Sequence, residues 1–356
     1  MTLLTRAQIE ETAAAIAARQ RPDGRLPWHA GQHTDAWNHV EGAMGLLLGG
    51  RRCEAEHAFE WLAAAQRADG SWAQSYAWDG TVESADADTN MCAYVAVGVW
   101  HHYLLTRDGA FVAALWPVVE KAVDYVLDHQ APGGEIAWMH HADGTIDRRA
   151  LLTACSSIYM STRCAVAVAE VVGSERPDWE LSIGLLAHAI QDRMDVFWPK
   201  PRWSMDWYYP ALVGVVRDAE RLDAKWDAFV VPGRGCRCVS DKPWITTAET
   251  CELVLALDAL GRSEDAVRLF EDVQFLRRPD GAYQEGWVFP EDVWWPGRTP
   301  PWTSGAVLLA DDALARRSPG WNLFRGDDLP TGMSADEVAE LLGVDDLRSV
   351  GSPRTA

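Results

Sequence analysis

The sequence predicts an all-α protein folded as an (α/α)6 toroid, with six inner helices surrounded by six outer ones. Three observations predict this fold. Apolar residues recur with a helical period along most of the 356 residues, and no convincing run alternates as a strand would. Helices with one charged face alternate along the chain with helices that are apolar nearly all round. A degenerate repeat closes four of the six helix pairs.

Twelve helical segments follow one another between Thr5 and about residue 315. Thr5 begins the first one, because Gln8 three positions later completes a capping box, and this helix extends to about Arg19. The others are predicted at roughly 35–48, 52–66, 88–106, 110–129, 153–172, 179–195, 206–217, 219–229, 246–260, 262–276 and 303–315. Paired in order, they make the six hairpins of a closed ring.

The two kinds of helix differ in how much of their surface is apolar. Residues 52–66 carry charges along one face, whereas residues 89–105 and 153–172 are apolar nearly all round. A helix that is apolar on all sides has to be buried on all sides. We therefore expect the second kind to form the inner ring and the first kind to cover it.

The repeat has the form Gln-x3-Gly-x-apolar and follows an outer helix each time. It begins at Gln20, Gln66 and Gln130, and at Arg277 with arginine in place of glutamine. The glycine ends the helix, and the apolar residue folds back onto the ring. The repeat resembles the QW motif of terpene cyclases and protein prenyltransferases, which are also α/α toroids. This resemblance implies a fold and no particular chemistry.

The helical pattern ends near residue 316. We expect residues 1–316 to form the catalytic barrel domain and residues 317–356 a C-terminal extension. In the extension, Ser334 and Glu337 form a capping box for one short helix, and the last ten residues are expected to be disordered.

The N-terminal segment and the cysteines predict a cytoplasmic protein. No apolar run reaches 18 residues, so no membrane span is expected, and the first residues lack the apolar core of a signal peptide. Seven cysteines, most of them in helical segments, favour reduced thiols over disulfides. We expect Cys236 or Cys238 to react first, because both lie in a glycine-rich loop.

The charge balance narrows the possible partners. The chain has 52 acidic and 32 basic residues, a net charge of −20. This excess speaks against nucleic acid, because phosphate binding needs clustered lysine and arginine. Neutral or cationic partners remain, and the oligomeric state is left open.

Acidic residues gather where the inner helices begin, at one end of the predicted ring. They are Asp35, Asp86, Asp88, Asp206, Glu249 and Glu285. Each one alone is explained as a carboxylate that caps a helix or stabilises its dipole. Their convergence on one end, among aromatic residues, favours a catalytic or binding site.

Glu249 and Asp35 are the predicted catalytic pair. Glu249 lies one turn into a buried helix, and enclosure would favour its protonated form and make it the proton donor. Asp35 stands at the start of the first inner helix, where the dipole would keep it charged as the base that activates water. If Glu249 or Asp35 does not have its expected role, Asp88, Asp206 or Glu285 is the alternative.

Tryptophan is the most biased residue type, with 19 copies against 8 Tyr and 8 Phe. Core packing accounts for some of them. Those in turns and at helix starts are better explained by stacking on sugar rings or by lining an isoprenoid pocket. The predicted substrate-binding residues are Asp86, Asp88, Asp206, Glu285, His39, Trp37, Trp72, Trp207, Trp287, Trp302 and Tyr208.

Three functions fit a toroid lined with tryptophan. A terpene cyclase or prenyltransferase is disfavoured, because 86–89 lacks the last acid of a D-x-D-D motif and Cys236-x-Cys238 is not a zinc spacing. The acids are dispersed over several helices and the histidines lack ligand spacing, so we expect no metal and no cofactor. A non-catalytic glycan-binding toroid would keep the tryptophans and need no paired acids, and it stays open. Glycoside hydrolysis needs only two carboxylates and a groove, and it is favoured.

The segments 205–210 (MDWYYP) and 239–253 (VSDKPWITTAETCEL), with the tryptophan-rich loop before the last helix, carry a further resemblance. They resemble actinobacterial proteins often labelled prenyltransferase-like, among which is a hydrolase of methylmannose polysaccharides. Glycosidases with the (α/α)6 fold are similar in their rim of acids and tryptophans. The resemblance implies a glycoside hydrolase, an oligo- or polysaccharide substrate, possible endo action on methylmannose polysaccharide, and inversion at the anomeric carbon. Epimerases, lyases and phosphorylases share the fold.

Overall fold

The computed structural model describes residues 3–344 and residue 347. Within them, helices alternate between outer and inner positions along the chain. The outer helices are α1 (Arg6–Ala17), α3 (Arg52–Ala65), α6 (Gly109–Leu127), α8 (Pro177–Asp192), the short α10 (Ala219–Asp223) and α11 (Trp226–Phe229), and α13 (Ser263–Asp272). The inner helices are α2 (Ala36–Leu48), α4 (Thr89–Ala93) with α5 (Val95–Thr106), α7 (Leu152–Val172), α9 (Ser204–Leu212), α12 (Thr247–Ala259) and α14 (Pro301–Ala315).

The inner helices contact one another in a closed ring. Helix α2 packs on α5, α5 on α7, α7 on α9, α9 on α12, α12 on α14, and α14 on α2. The outer helices cover this ring, so that α1 packs on α14 and α2, and α13 packs on α12 and α14. Buried residues fill the inner helices almost completely, as in α7 and α12. The predicted (α/α)6 toroid is confirmed.

Two glycines close the ring between its first and last inner helices. A Cβ on Gly305 would lie 2.5 Å from the backbone oxygen of Glu41, and a Cβ on Gly45 would lie 2.7 Å from the Cα of Gly305. Only glycine permits this approach of α2 and α14. The contact brings the starts of the two helices, and the polar residues they carry, to the same end of the barrel.

Three of the predicted helices differ most from the observed ones. The segment 88–106 is interrupted at Tyr94, and 219–229 is divided into α10 and α11. Helix α9 ends at Leu212 instead of continuing to residue 217. Pro210 lies within α9 and cannot donate a backbone hydrogen bond, and Gly214, with φ of +72°, turns the chain soon after the helix ends.

In the described part of the chain, ten strands of two or three residues lie in the loops that lead from outer to inner helices. They are β1 (Ser75–Tyr76), β2 (Val82–Ser84), β3 (Ala87–Asp88), β4 (Met139–His140), β5 (Ile146–Asp147), β6 (Val230–Val231), β7 (Gly235–Cys236), β8 (Trp244–Thr246), β9 (Gly286–Val288) and β10 (Val293–Trp295). They form antiparallel sheets in the orders β1-β2, β3-β4-β5 and β10-β9-β8-β7-β6. Strands this short show no alternation in the sequence, which is why none was predicted.

The extension after residue 316 packs against the barrel. Arg163 of α7 is 4% exposed, and its guanidinium donates hydrogen bonds to the backbone oxygens of Gly326, Leu329 and Pro330. The short helix α15 (Ala335–Leu342) begins with the predicted capping box of Ser334 and packs on α8. The disorder expected of the last ten residues concerns positions that, apart from Leu347, lie outside the described residues.

We expect the substitution Arg163→Leu to lower the free energy of unfolding by about 3 kcal/mol, because it leaves three carbonyl groups of the extension without a donor. Urea denaturation followed by circular dichroism measures this loss. Arg6→Leu is the matched control, since the Arg6 side chain is 92% exposed and its loss costs little. Equal stability of the two variants would contradict the role of Arg163.

The seven cysteines are all free thiols, but their exposure differs from the expectation. Cys236, predicted among the most reactive, is fully buried in β7, where strand pairing with β8 covers it. That part of the prediction is wrong. Cys238 is half-buried, and Cys53 on α3 is exposed.

A thiol reagent such as Ellman's reagent is therefore expected to modify Cys53 of the native protein first and Cys238 more slowly. Burial raises the pKa of Cys92 and of Cys155 to about 12, so these thiols stay protonated and unreactive. The Cys53→Ser variant should lose the fast phase of the reaction. Fast modification that persists in this variant would contradict the assignment.

Candidate active site

Asp35 lies where the loop after α1 enters the first inner helix. It caps α2 by accepting hydrogen bonds from the backbone N–H of Asn38 at 2.9 Å and from the Asn38 side-chain amide at 2.7 Å. The residue is 2% exposed, and burial raises the pKa of its carboxyl against the opposing effect of Asn38 and of His33, whose Nε2 lies 3.9 Å away. The carboxyl of Asp35 is thus buried and held in a fixed orientation.

Asp88 caps the next inner helix, α4, in the same way. Its carboxyl accepts a hydrogen bond from the backbone N–H of Met91 at 3.1 Å and from the indole N–H of Trp138 at 2.6 Å. Burial raises the pKa of Asp88, and the charge of Asp35 raises it further. The two aspartates therefore form one group of interacting carboxyls at the starts of α2 and α4.

Glu249 and Glu285 form a second group. Pairing of β8 with β9 places Glu285 beside the start of α12, where the backbone N–H of Thr247 donates to the Glu285 backbone oxygen at 2.9 Å. Burial and the neighbouring charge of Glu249 raise the pKa of Glu285 to about 7, although Arg298 and Trp28 act in the opposite direction. Glu249 is half-buried and accepts a hydrogen bond from the Cys238 thiol.

The expectation that Glu249 is more enclosed than Asp35 is wrong. Asp35 is almost fully buried, whereas Glu249 is half-buried. Asp35 folds back over the N-terminus of its own helix, where Asn38 holds both of its oxygens. Glu249 projects from the first turn of α12 towards the loop that contains Cys238.

Two further glutamates, which the sequence reasoning missed, lie deeper between the inner helices. Tyr208 and Tyr209 donate hydrogen bonds to Glu252, and burial raises the pKa of this carboxyl to about 8. Tyr94 donates to Glu41 at 2.7 Å, and burial raises the pKa of Glu41 to about 7. A cavity of about 20 Å³ between the two, large enough for one water, separates them.

Six buried polar atoms near the carboxyls have no hydrogen-bond partner among the described residues. They are Trp37 Nε1, Asn90 Oδ1, Thr246 Oγ1, Glu285 Oε2, Trp302 Nε1 and Thr303 Oγ1. All but Glu285, which directly precedes β9, belong to the starts of α2, α4 and α14 or directly precede α12. More than nine in ten buried polar groups in folded proteins are paired. The unpaired groups at this end of the barrel are therefore available to a polar ligand or to water.

Two of these unpaired groups belong to tryptophans that the sequence predicted in the site. Trp37 is half-buried and stacks on Tyr94, with ring centroids 4.6 Å apart. Trp302 is half-buried and contacts Trp28 edge to face, at 5.1 Å. Each ring offers an apolar surface beside a free N–H donor, which suits a ligand that has both apolar faces and oxygens.

Several predicted substrate-binding residues lie in the core instead. His39 is 1% exposed, and its ring bonds the backbone N–H of Leu26 and the backbone oxygen of Ala58. Trp72 is 1% exposed and donates to the backbone oxygen of Leu62. Neither side chain can contact a sugar, because its surface is packed against the core and its polar atoms are bonded to the backbone.

Trp207 and Tyr208 are also enclosed. Trp207 is 1% exposed and stacks on Phe229 at 5.1 Å, between α9 and α11. Tyr208 is fully buried, and its hydroxyl is engaged by Glu252. Trp287 is 6% exposed, packs edge to face on Phe275, and lies in the five-stranded sheet.

The side chains of the two remaining predicted acids have partners outside the two carboxyl groups described above. Asp86 bonds the ring of His141 at 2.9 Å and the backbone N–H of Ala142, on the outside of the β3–β4 pair. Asp206 accepts a hydrogen bond from Thr153 at 2.6 Å and lines a separate pocket beside the starts of α7 and α9.

The described residues contain no group of three or more His, Cys, Asp or Glu side chains that could hold a metal ion. The expected absence of a metal and of a cofactor stays a prediction. In the same part of the chain, no helix has the length and apolar character needed to cross a membrane.

Comparison with known proteins finds one relative whose sequence matches nearly the whole chain. It is the MMP endo-(1,4)-3-O-methyl-alpha-D-mannosidase of Mycolicibacterium hassiacum, 50% identical over 337 residues that cover 94% of this chain and 93% of the relative. An uncharacterized glycosyl hydrolase of Methanocaldococcus jannaschii is 33% identical over 84 residues, 24% of this chain and 14% of that protein. No protein-family model matches the chain.

Solved structures show the same fold at low identity. A glycosidase variant in complex with glucose superposes with a TM-score of 0.69 at 16% identity, covering 87% of this chain and 98% of that one. A D-mannose isomerase superposes with a TM-score of 0.67 at 13% identity, covering 87% and 96%. A sugar epimerase from a ruminal bacterium gives a TM-score of 0.66 at 10% identity, covering 88% and 99%.

Proposed function

Because the chain belongs to the family of the Mycolicibacterium mannosidase and is a glycoside hydrolase, we propose that it cleaves internal bonds of an α-1,4-linked polysaccharide of 3-O-methylmannose. Membership of this family argues against the prenyl-binding and the non-catalytic alternatives. The observation that carries the proposal is the 50% identity to this mannosidase along 94% of the chain, and the unpaired polar atoms at the starts of the inner helices support a sugar site there.

The composition of the site suits a methylated sugar. The unpaired N–H groups of Trp37 and Trp302 can donate to sugar oxygens, and the unpaired hydroxyls of Thr246 and Thr303 can donate or accept. The ring faces of the tryptophans can cover the apolar C–H face of a sugar and its methyl ether, which lacks a hydroxyl proton.

In this proposal Glu285 is the proton donor. Its pKa of about 7 keeps it partly protonated at neutral pH, and its unpaired Oε2 is available to a leaving oxygen. Glu249 supports this role, because its charge raises the pKa of Glu285. The donor role expected of Glu249 from the sequence therefore passes to its neighbour.

Asp35 is the proposed base. Its two oxygens are oriented by Asn38, and a pKa raised by burial strengthens it as a proton acceptor once it is ionised. Asp35 takes a proton from water while the water oxygen bonds to the anomeric carbon. The bond from that carbon to the glycosidic oxygen breaks, and Glu285 protonates this oxygen. A single displacement of this kind inverts the anomeric configuration.

The proposal is tested with oligosaccharides of α-1,4-linked 3-O-methylmannose, their unmethylated counterparts and α-1,4-glucans. We expect cleavage of the methylated series into shorter oligosaccharides, and proton NMR should show the β-anomer at the new reducing end first. Release of single sugars only would overturn endo action. Cleavage of the glucans with the methylated series intact would overturn the substrate, and an initial α-anomer would overturn inversion.

We also propose that the enzyme works in the cytoplasm. The seven free thiols support this location, since a reducing compartment keeps cysteines unpaired. Fractionation of cells that express a tagged chain tests it, and recovery outside the cytoplasmic fraction would contradict it.

A further inference from the structure

A pocket of about 390 Å³ lies at the rim of the barrel, beside the starts of α7 and α9. Five of its lining residues carry the argument: Trp198, Lys200, Asp206, Arg221 and Lys225. Its volume falls in the range of sites that bind small molecules or single units of a polymer, about 300–1,000 Å³.

Trp198 offers an uncovered aromatic surface at this pocket. Its side chain is among the most exposed large apolar groups of the described residues, at 51%. Its backbone is nevertheless fixed, because its N–H donates to the backbone oxygen of Ala150 at 2.8 Å. A tryptophan on a fixed backbone, with one face open to solvent, provides a stacking platform for an apolar ring face.

A continuous row of side chains joins this platform to the carboxyls. The guanidinium of Arg149 lies 5.1 Å from the ring of Trp198 and 5.3 Å from the ring of Trp138. Asp147 holds Arg149 in this position through a hydrogen bond to its Nε. Trp138 in turn donates to Asp88. The row leads outward from Asp88 to the pocket along one wall of the rim.

The pocket also contains cationic side chains. Lys200 and Lys225 are two of only four lysines in the chain. Lys200 and Arg221 act on the carboxyl of Asp206 through their charge, which lowers its pKa against the larger opposite effect of burial. Arg221 donates only to the backbone oxygens of Asp206 and Trp207, although burial lowers its pKa. These cations can donate to the hydroxyl and ether oxygens of a sugar.

We infer that this pocket is a distal sugar-binding subsite, in which Trp198 stacks on a ring of the polysaccharide remote from the bond that is cleaved. The inference rests on the proposed function. It also gives a reason for endo action. A long chain can occupy both this subsite and the site at the carboxyls, so it binds more tightly than a short chain that reaches only one of them.

The test compares long and short substrates. For long 3-O-methylmannose oligosaccharides, Trp198→Ala should raise KM about tenfold, equivalent to about 1.4 kcal/mol, with kcat unchanged. For the shortest oligosaccharide that the wild type cleaves, KM should not change. Trp198→Phe should restore most of the binding of long chains. Trp321→Ala is the matched control, because Trp321 also stacks against an arginine, at 4.8 Å from Arg316, outside the rim.

An equal KM of Trp198→Ala and wild type on every chain length would overturn the inference. A change that is the same for short and long substrates would also overturn it, since it would mean a general disturbance of the site. The fluorescence of Trp198 is the difference between the wild type and Trp198→Ala. If inorganic phosphate quenched this difference signal and oligosaccharide did not, the pocket would be assigned to an anion instead. Failure of the wild type to cleave any 3-O-methylmannose chain would contradict the proposed function, which is a separate outcome.

Discussion

Replacing Asp35 by asparagine is expected to lower kcat by about 10²–10⁴-fold, the range for loss of a general base. An amide cannot take the proton of the attacking water. It can still accept the hydrogen bond from the backbone N–H of Asn38, and asparagine caps helices as well as aspartate does. The fold and the binding of the sugar should therefore persist, and KM should stay within about threefold. Steady-state rates on a 3-O-methylmannose oligosaccharide measure both constants.

Asp86→Asn is the matched control for this variant. Asp86 precedes an inner helix, as Asp35 does, but its carboxyl is turned to His141 on the outside of the loops. We expect wild-type rates from it. If Asp35→Asn kept a tenth or more of the wild-type kcat, Asp35 would not be the base, and Asp88, whose pKa its charge raises, would be the next candidate.

The inner ring could be predicted because its helices are apolar on nearly all sides, and only burial inside a second layer accommodates such helices. The positions of Asp35 and Asp88 followed from the same pattern, since a short polar residue before an apolar helix caps it. Both residues do cap their helices. Local signals of this kind need no knowledge of distant contacts.

The partnership of Glu249 with Glu285 could not be predicted, because it depends on the pairing of two strands with three residues each. The core positions of His39 and Trp72 were hidden for a similar reason. Their polar atoms are satisfied by backbone groups of α3 and, for His39, also by the backbone N–H of Leu26, and a sequence does not place these groups. Glu252 had a usable signal, since it follows Glu249 by one turn in a buried helix and a buried carboxyl needs donors such as Tyr208 and Tyr209.

Replacing Glu285 by glutamine is expected to lower kcat on natural substrates by about 10²–10⁴-fold. The wild-type rate should fall as the pH rises past about 7, where Glu285 loses the proton it donates. The variant should lack this alkaline decline. A dinitrophenyl glycoside of the same sugar needs no proton on its leaving oxygen, so the variant should cleave it at nearly the wild-type rate. Glu291→Gln, an exposed glutamate after β9, is the control and should behave as wild type.

The Glu249→Gln variant tests how Glu285 keeps its proton. The charge of Glu249 stabilises the protonated form of Glu285, so its removal should lower the pKa of Glu285. Since the reaction requires the protonated form, the alkaline limb of the rate profile should then move to lower pH, and activity should fall more at pH 8 than at pH 5. Profiles of kcat against pH for the two single variants separate the roles. Loss of the alkaline limb in Glu249→Gln, together with a wild-type profile in Glu285→Gln, would return the donor role to Glu249.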